Sequence, residues 1–303
     1  MTPNQNPTAP TTTASVPTGE SESIGRLLVT CRDQLGLVAA MSELLRDLGA
    51  NIVALDQYSS DPRGGEFFQR TEFHLPGLPE RLAEVEAALE DRIRTPFGAE
   101  AALSLASVPK RVAIMVSKTD HCLLDLLWRQ RNGELPIEVV LVISNHPDLG
   151  DVVRSFGIEF VHVPVTGDKS AAEAQHLELL RDRVDLVVLA RYMQIISETF
   201  LDRVGAPIIN IHHSFLPAFI GAAPYRKAKE RGVKLVGATA HYVTGDLDEG
   251  PIIEQDVVRV SHRDTTRELV RRGADVERQV LSRAVAWHCE DRVIRHGNTT
   301  IVF

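Results

Sequence analysis

Residues 111–144 read RVAIMVSKTDHCLLDLLWRQRNGELPIEVVLVIS and predict a strand, a helix and a second strand. Two strongly apolar runs, Arg111–Ser117 and Ile137–Ser144, flank the amphipathic segment Leu123–Arg131. Strands this apolar are buried on both faces, which is typical of parallel strands joined by a crossover helix. The stretch therefore predicts that the sheet of an α/β fold begins near residue 110.

The same alternation continues downstream of this unit. Phe160–Pro164 and Leu186–Ala190 are the next predicted strands, and helices are expected over Asp148–Phe156 and Ala171–Arg183. Thr265–Cys289 predicts one long helix or a pair of helices. The pattern indicates a Rossmann-like, mostly parallel sheet that is covered by helices on both faces. Ligands of such sheets bind outside the carboxyl ends of the strands.

Upstream of a boundary at Pro109, the order of elements is βαββαβ, the ferredoxin-like arrangement. Residues 1–22 are mostly Thr, Pro, Ala, Asn and Ser, which predicts a disordered tail. The sequence thus divides into a tail (1–22), a small domain (23–108) and a larger one (109–303). Strands of the small domain are expected over Arg26–Cys31, Asn51–Ser59, Gly65–Leu75 and Ala101–Val108, and helices over Leu37–Leu48 and Glu80–Arg94.

Composition excludes several classes of function. The net charge is −8 and no block of Lys and Arg stands out, which argues against binding of nucleic acid. No apolar run approaches the roughly 18 residues of a membrane span, and the first residues do not resemble a secretory or mitochondrial signal. Cys31, Cys122 and Cys289 are widely spaced, which favours free thiols in a reducing compartment. A cytoplasmic protein without a membrane partner is predicted.

The apolar strand IINIH at residues 208–212 ends on two polar residues that could take part in catalysis. Asn210 and His212 are two residues apart, so their side chains point to the same side of the strand. An amide and an imidazole can both stabilise the oxyanion of a tetrahedral intermediate. Asp248 lies in an acidic loop after the next strand, Lys234–Val243. A carboxylate beside an imidazole can share a proton with it and activate water, so these three residues predict acyl chemistry.

Neighbouring residues receive weaker assignments. Thr239 and His241 lie two residues apart on one strand. For both, a role in orienting Asp248 is favoured over direct catalysis. His213 is expected to point away from the site, and Gly250 to give the acidic loop an unusual backbone angle. A lone Asn or His more often satisfies a strand end than acts on a substrate. No HxxEH or HExxH spacing occurs, so no metal site is predicted.

The motifs N-x-H-x-S-F-L-P (210–217), G-A-T-x-H (237–241) and D-x-D-x-G-P (246–251) resemble the folate-dependent formyltransferase family. The resemblance implies that Asn210, His212 and Asp248 form a catalytic trio that acts on 10-formyltetrahydrofolate. Folate is then the substrate, and no separate cofactor is expected. LARYMQIIS (189–197) resembles the pterin-binding strand end of that family. The implied substrate contacts are Met193, Gln194, Ile195, Thr239, His241, Val243, Gly245 and Asp246.

CRDQLGLV (31–38) resembles the first turn of an ACT domain, with its D-x-x-G-[LI]-[VA] pattern. The resemblance implies a site for a small amino acid at Asp33, Gly36 and Leu37, and glycine and methionine are the first candidates. It also implies an even-numbered homo-oligomer, either a dimer or a tetramer. A purely structural role in oligomerisation remains an equal alternative.

Members of the formyltransferase family differ in the acceptor of the formyl group. A glycinamide ribonucleotide transformylase needs a glycine-rich phosphate cradle, and the loop Ser117–Leu123 contains no glycine. A methionyl-tRNA formyltransferase carries a basic carboxy-terminal domain, whereas this chain is acidic. Transfer to water remains, which would release formate for purine synthesis and balance one-carbon folate pools. A glycinamide ribonucleotide transformylase or a non-catalytic sensor of amino acids and folate are the alternatives.

Two residues beside the site depart from the hydrolytic pattern. A basic residue is expected near Ala223 and a histidine near Arg226. These departures leave the local substrate contacts open, and they do not touch the trio.

Overall fold

The computed structural model describes residues 23–61, 63–167, 169–217 and 224–303. The chain divides into two compact units, Met1–Val108 and Pro109–Phe303. The division falls where the sequence places its domain boundary. The expected disordered tail (1–22) lies outside the described residues, and so does Ala223.

The elements of the first unit are β1 (Ile24–Arg32), α1 (Leu37–Asp47), β2 (Asn51–Ser59), β3 (Glu66–His74), α2 (Leu78–Leu89), α3 (Thr95–Phe97) and β4 (Glu100–Leu105). The four strands form an antiparallel sheet with the order β2-β3-β1-β4, so the predicted ferredoxin-like fold is confirmed. The predicted helix Glu80–Arg94 begins two residues earlier, directly after Gly77, and it continues into a π-helical turn at Glu90–Arg94.

The turn that resembles an ACT ligand site is tied to the β2–β3 hairpin. The Ser59 hydroxyl donates a short hydrogen bond to the Asp33 carboxylate, and the Asp33 amide donates to the Gly65 carbonyl at 2.7 Å. Gly36 has a left-handed backbone (φ 89°) immediately before α1. Leu37 is buried in the core of the unit. Its side chain therefore cannot contact a ligand, and only its backbone remains available.

The second unit is built on a seven-stranded sheet. Its strands are β5 (Lys110–Val116), β6 (Ile137–Ser144), β7 (Glu159–His162), β8 (Leu186–Leu189), β9 (Ile208–His212), β10 (Leu235–Tyr242) and β11 (Ile252–Arg259). Their order in the sheet is β11-β10-β9-β8-β5-β6-β7. The five neighbouring strands β9, β8, β5, β6 and β7 are parallel, whereas β10 runs antiparallel to both of its neighbours. This sheet confirms the predicted mostly parallel α/β architecture.

Helices cover both faces of this sheet. They are α4 (His121–Arg131), α5 (Gly150–Ser155), α6 (Lys169–Leu180), α7 (Glu198–Arg203), α8 (Pro224–Arg231) and α9 (Thr266–Cys289). Ile114 of β5 lies in one apolar core with α4 and α9, while its neighbour Met115 lies in a second core with α6 and α7. Successive side chains of β5 therefore pack into opposite cores, which explains why its apolar run is continuous.

The end of the chain differs in detail from the expectation. Thr266–Cys289 forms one helix, whose start is fixed by a capping box between Thr265 and Glu268. The last strand of the chain does not join the large sheet. Instead β13 (Thr299–Val302) pairs with β12 (Val293–His296) in a separate two-stranded ribbon. Within the described ranges, none of the helices combines the length and apolar character needed to cross a membrane.

Gly273 tests the packing of α9. A Cβ atom at this position would overlap the phenol of the buried Tyr225. We expect Gly273→Ala to lower the free energy of unfolding by about 1–2 kcal/mol, because overpacking outweighs the gain in helix propensity. Urea unfolding followed by circular dichroism measures the change.

Gln279→Ala, on the exposed side of the same helix, is the matched control and should change stability by less than about 0.5 kcal/mol. A Gly273→Ala protein as stable as the wild type would contradict this packing.

Candidate active site

The antiparallel pairing of β9 and β10 brings four of the predicted site residues together. His241 lies opposite Asn210, and Thr239 lies opposite His212. The residues between them, such as Ile211 and Ala240, point into the core beneath α9. The polar side chains are therefore held on one face by the burial of their apolar neighbours.

Asp248 completes the predicted trio. Its Oδ1 atom lies 3.3 Å from Nδ1 of His212 and 3.8 Å from Nε2 of His241. Contact with His212, together with the nearby imidazoles of His241 and His213, holds the pKa of Asp248 below its ordinary value although burial opposes this. Asp248 is therefore a carboxylate at neutral pH.

The loop that carries Asp248 needs a glycine, but for a different reason than the sequence suggested. Gly250 does not have a left-handed φ; Asp248 itself does, with φ 59°. A Cβ atom on Gly250 would overlap the carbonyl oxygen of Tyr242, so glycine is required for close approach of the backbone. Asn298 donates to the Glu249 carbonyl at 3.0 Å, which also holds the loop in place.

His241 orients the amide of Asn210. Its Nδ1 atom lies 2.9 Å from the Tyr242 carbonyl oxygen and therefore donates. In the neutral ring Nε2 is then the acceptor, and Asn210 Nδ2 lies 3.2 Å from it. Burial lowers the pKa of His241, which favours this neutral form. His241 thus fixes which way the amide points, so that the second N–H of Asn210 remains for a ligand.

The trio opens into a cavity of about 340 Å³ at the ends of β8 and β9. A smaller space of about 60 Å³ adjoins it under the Asp248 loop. Met193 and Ile195 are each 59% exposed, so both side chains are available to a ligand. The predicted contacts that line one or both spaces are Met193, Gln194, Ile195, His241, Val243, Gly245 and Asp246.

Thr239 does not line either cavity. It is fully buried, and its hydroxyl donates to the Ser214 carbonyl at 2.9 Å and accepts from the Leu216 amide at 3.0 Å. Gln255 donates to the same hydroxyl at 3.0 Å. Thr239 therefore supports the loop that follows His212, and the expectation of a direct substrate contact is not matched by this placement.

Sequence reasoning missed two residues of the cavity wall, His213 and Arg191. His213 packs against Tyr225 with 6.1 Å between ring centroids, and the cavity extends across the end of β9 to reach it. Burial, and then the charge of Arg191, lowers the pKa of His213 to about 4. Arg191 could have been found from the sequence, because a charged residue that directly follows an apolar strand is a candidate for a binding site.

Arg226, where a histidine was expected, points away from this cavity. Its side chain is exposed and lies 3.8 Å from Glu230, one turn along α8. The departure at this position therefore leaves the wall formed by the described residues unchanged.

The tautomer of His241 can be tested directly. At pH 6.5, near the ordinary pKa of histidine, we expect a neutral ring with the proton on Nδ1, because Nδ1 donates to a carbonyl and burial disfavours the charged form. Two-dimensional ¹⁵N–¹H spectra of the imidazoles distinguish the forms, and His241→Gln assigns the signal. An imidazolium or an Nε2–H tautomer at this pH would contradict the geometry.

Comparisons with known proteins agree with both units. Residues 110–285 match the Formyl transferase family, and residues 25–90 match the ACT domain family. A glycinamide ribonucleotide transformylase from Symbiobacterium toebii has 34% identity and a TM-score of 0.61. The match covers 94% of the transformylase chain but only 64% of this chain. The second unit alone could account for a match of that length.

Relatives that match the chain along nearly its whole length are named deformylases and not transformylases. The crystal structure of a formyltetrahydrofolate deformylase from Pseudomonas syringae has a TM-score of 0.88 and 45% identity, covering 92% of this chain and 94% of its own. The formyltetrahydrofolate deformylase of Mycobacterium tuberculosis is 62% identical over 281 residues, or 92% of this chain and 91% of the relative. Matched across both of its units, the chain belongs to the formyltetrahydrofolate deformylase family.

Proposed function

We propose that this chain hydrolyses the N10-formyl group of 10-formyltetrahydrofolate to formate and tetrahydrofolate. The observation that carries the proposal is the contact of the Asp248 carboxylate with His212, beside the oriented amide of Asn210, in one cavity. Relatives that match both units are named for the same reaction.

In the proposed mechanism, the oxygen of a water molecule attacks the formyl carbon. Asp248 and His212 take the proton of that water as a coupled pair, since the depressed pKa of Asp248 makes the carboxylate alone a weak base. The free N–H of Asn210 and the His212 imidazole donate to the oxyanion of the tetrahedral intermediate. The C–N bond then breaks as the proton taken from water passes to N10. The formic acid loses its remaining proton to solvent, and formate and tetrahydrofolate leave.

The loop Ser117–Leu123 favours water over a phosphorylated acceptor. The Ser117 hydroxyl is engaged with the Tyr192 carbonyl oxygen and lies 2.6 Å from Oδ1 of Asn145. Asp120 stands at the N-cap of α4, where an anion would otherwise bind. A carboxylate at this position repels phosphate, which supports hydrolysis over transfer to glycinamide ribonucleotide.

The cellular setting is part of the same proposal. Formate release would supply purine synthesis and balance one-carbon folate pools. The proposed steps use only side chains, water and folate, so we propose that no cofactor takes part. Cys31, Cys122 and Cys289 are all free thiols, which suits action in the cytoplasm.

We also propose that the first unit binds a small amino acid, glycine or methionine, and that the protein forms a dimer or tetramer through it. The turn of residues 33–37 offers a carboxylate and a left-handed glycine next to the fully exposed Leu35. The carboxylate of Asp33 would pair with the amino group of the effector.

Asp248→Asn tests the reaction centre. We expect turnover to fall by about 10²–10⁴-fold with folate binding retained, because the amide keeps the shape and loses the base. Formate release from 10-formyltetrahydrofolate is measured with and without glycinamide ribonucleotide. Glu249→Gln, an exposed neighbour that lines neither cavity, is the control and should behave as the wild type.

Three outcomes separate the candidate functions. Formate release without an acceptor supports the hydrolase. Formylated product that forms only when the acceptor is added would support the transformylase, and neither product would support the sensor. Near wild-type formate release from Asp248→Asn would remove Asp248 from the mechanism.

The effector proposal has its own test. Glycine or methionine at 100 times its dissociation constant should stabilise the first unit by about 2.7 kcal/mol, seen as a higher melting temperature. Asp33→Asn can still accept from Ser59 but lacks the charge, so it should melt normally and lose this shift. If neither amino acid changes melting or turnover, the first unit has the structural role alone.

A further inference from the structure

Arg191 is a buried cation in the wall of the active-site cavity. It follows β8 with a left-handed backbone (φ 65°), and its side chain is 13% exposed. Its Nε and Nη1 atoms are buried, and no residue in the described ranges forms a hydrogen bond with them. Buried donors of a charged group are costly to leave unsatisfied, and Arg191 lines the cavity, so an anion bound there is the partner that its charge favours.

The counter-ion of Arg191 does not satisfy these donors. Oε2 of Glu277, on α9, lies 3.5 Å from Arg191 Nε, beyond a good hydrogen bond. The same Oε2 atom lies 2.8 Å from Nε2 of His121, and the Tyr225 hydroxyl donates to Oε1 at 2.6 Å. Glu277 thus balances the charge of the guanidinium while its own oxygens are bonded elsewhere.

Glu277 remains ionised in this arrangement. Burial by itself would raise its pKa, but the His121 contact, the charge of Arg191 and the Tyr225 hydroxyl hold it at about 2. The pair of Arg191 and Glu277 is therefore a fixed charge pair at neutral pH. Its positive end borders the cavity next to His212 and His213.

We propose that Arg191 binds the carboxylate of formate, the product of the proposed hydrolysis. The guanidinium is a permanent cation whose N–H donors suit a carboxylate. The formyl group of the substrate has one uncharged oxygen. Water adds a second oxygen, and the single negative charge that develops in the tetrahedral intermediate is shared by both oxygens in formate. Arg191 would therefore bind the product side of the reaction more strongly than the substrate side.

Three possible metal ligands lie around Glu277, but a metal ion fits there less well than an anion fits Arg191. His121, Cys122 and Glu277 bring three potential ligand atoms within 4.8 Å of one another. The guanidinium beside Glu277 would repel a cation, and the Tyr225 hydroxyl already uses the second carboxylate oxygen. Burial raises the pKa of the Cys122 thiol well above its ordinary value, so it is not a thiolate.

A second carboxylate source is the glutamate tail of the folate. Arg191 is buried at the end of β8, whereas Met193 and Ile195 form the exposed part of the same wall. The glutamate tail of a bound folate would extend through the open side of the cavity, whereas formate would be released at the buried end of the cavity. The position of Arg191 therefore favours formate.

The test measures formate binding by the full-length protein. Titration with ¹³C-formate, followed by NMR without folate, and formate inhibition of turnover give two dissociation constants. We expect Arg191→Gln to weaken both by at least tenfold and Arg191→Lys to weaken them less, since lysine keeps the charge and loses the guanidinium. Arg181→Gln, in a separate cavity at the other end of the sheet, is the matched control and should change neither.

Loss of Arg191 leaves Glu277 unpaired, so Arg191→Gln is also made with Glu277→Gln, which keeps the net charge and should show the same loss. Unchanged formate binding in the folded double variant overturns the proposal. So does a KM that rises for 10-formyltetrahydrofolate but not for 10-formyltetrahydropteroate, which lacks the tail, because Arg191 would then bind the tail. If the wild type releases no formate, the proposed function fails, whereas the NMR titration still decides whether Arg191 binds formate.

Discussion

The register between β9 and β10 is the constraint on which the site depends. Ile211 and Ala240 are buried in the core beneath α9, so Asn210, His212 and His241 must face the other way. A slip of one residue would turn the polar side chains into that core and the apolar ones out of it. Apolar burial therefore fixes the polar geometry.

The Asp248 carboxylate is held by partners with fixed directions. Asp248 is charged, but it lies between His212 and a His241 ring that is tied to a backbone carbonyl. Because His241 has only one hydrogen-bonding pattern in its neutral form, it also determines the orientation of the Asn210 amide. Rigid orientation of this kind lowers the reorganisation needed when charge develops in a transition state.

The proposed reaction centre and the features that favour water as the acceptor lie in different parts of the second unit. Asn210, His212 and Asp248 could serve transfer to an amine or to water equally well. The engaged Ser117 hydroxyl and the carboxylate of Asp120 act against a phosphate, at the start of α4. The charge pair of Arg191 and Glu277 lies beside the trio and gives the same cavity a preference for small anions.

Much of this was determined by the sequence alone. Continuous apolar runs predicted the parallel strands, and the two-residue spacing of Asn210 and His212 predicted their common face, because both patterns are local. The sequence did not place β13, the support role of Thr239 or the reason for Gly250, since each depends on which segment lies alongside. Arg191 shows the limit most clearly. Its counter-ion Glu277 is 86 residues away in sequence and 3.5 Å away in space, and only the folded chain brings the two together.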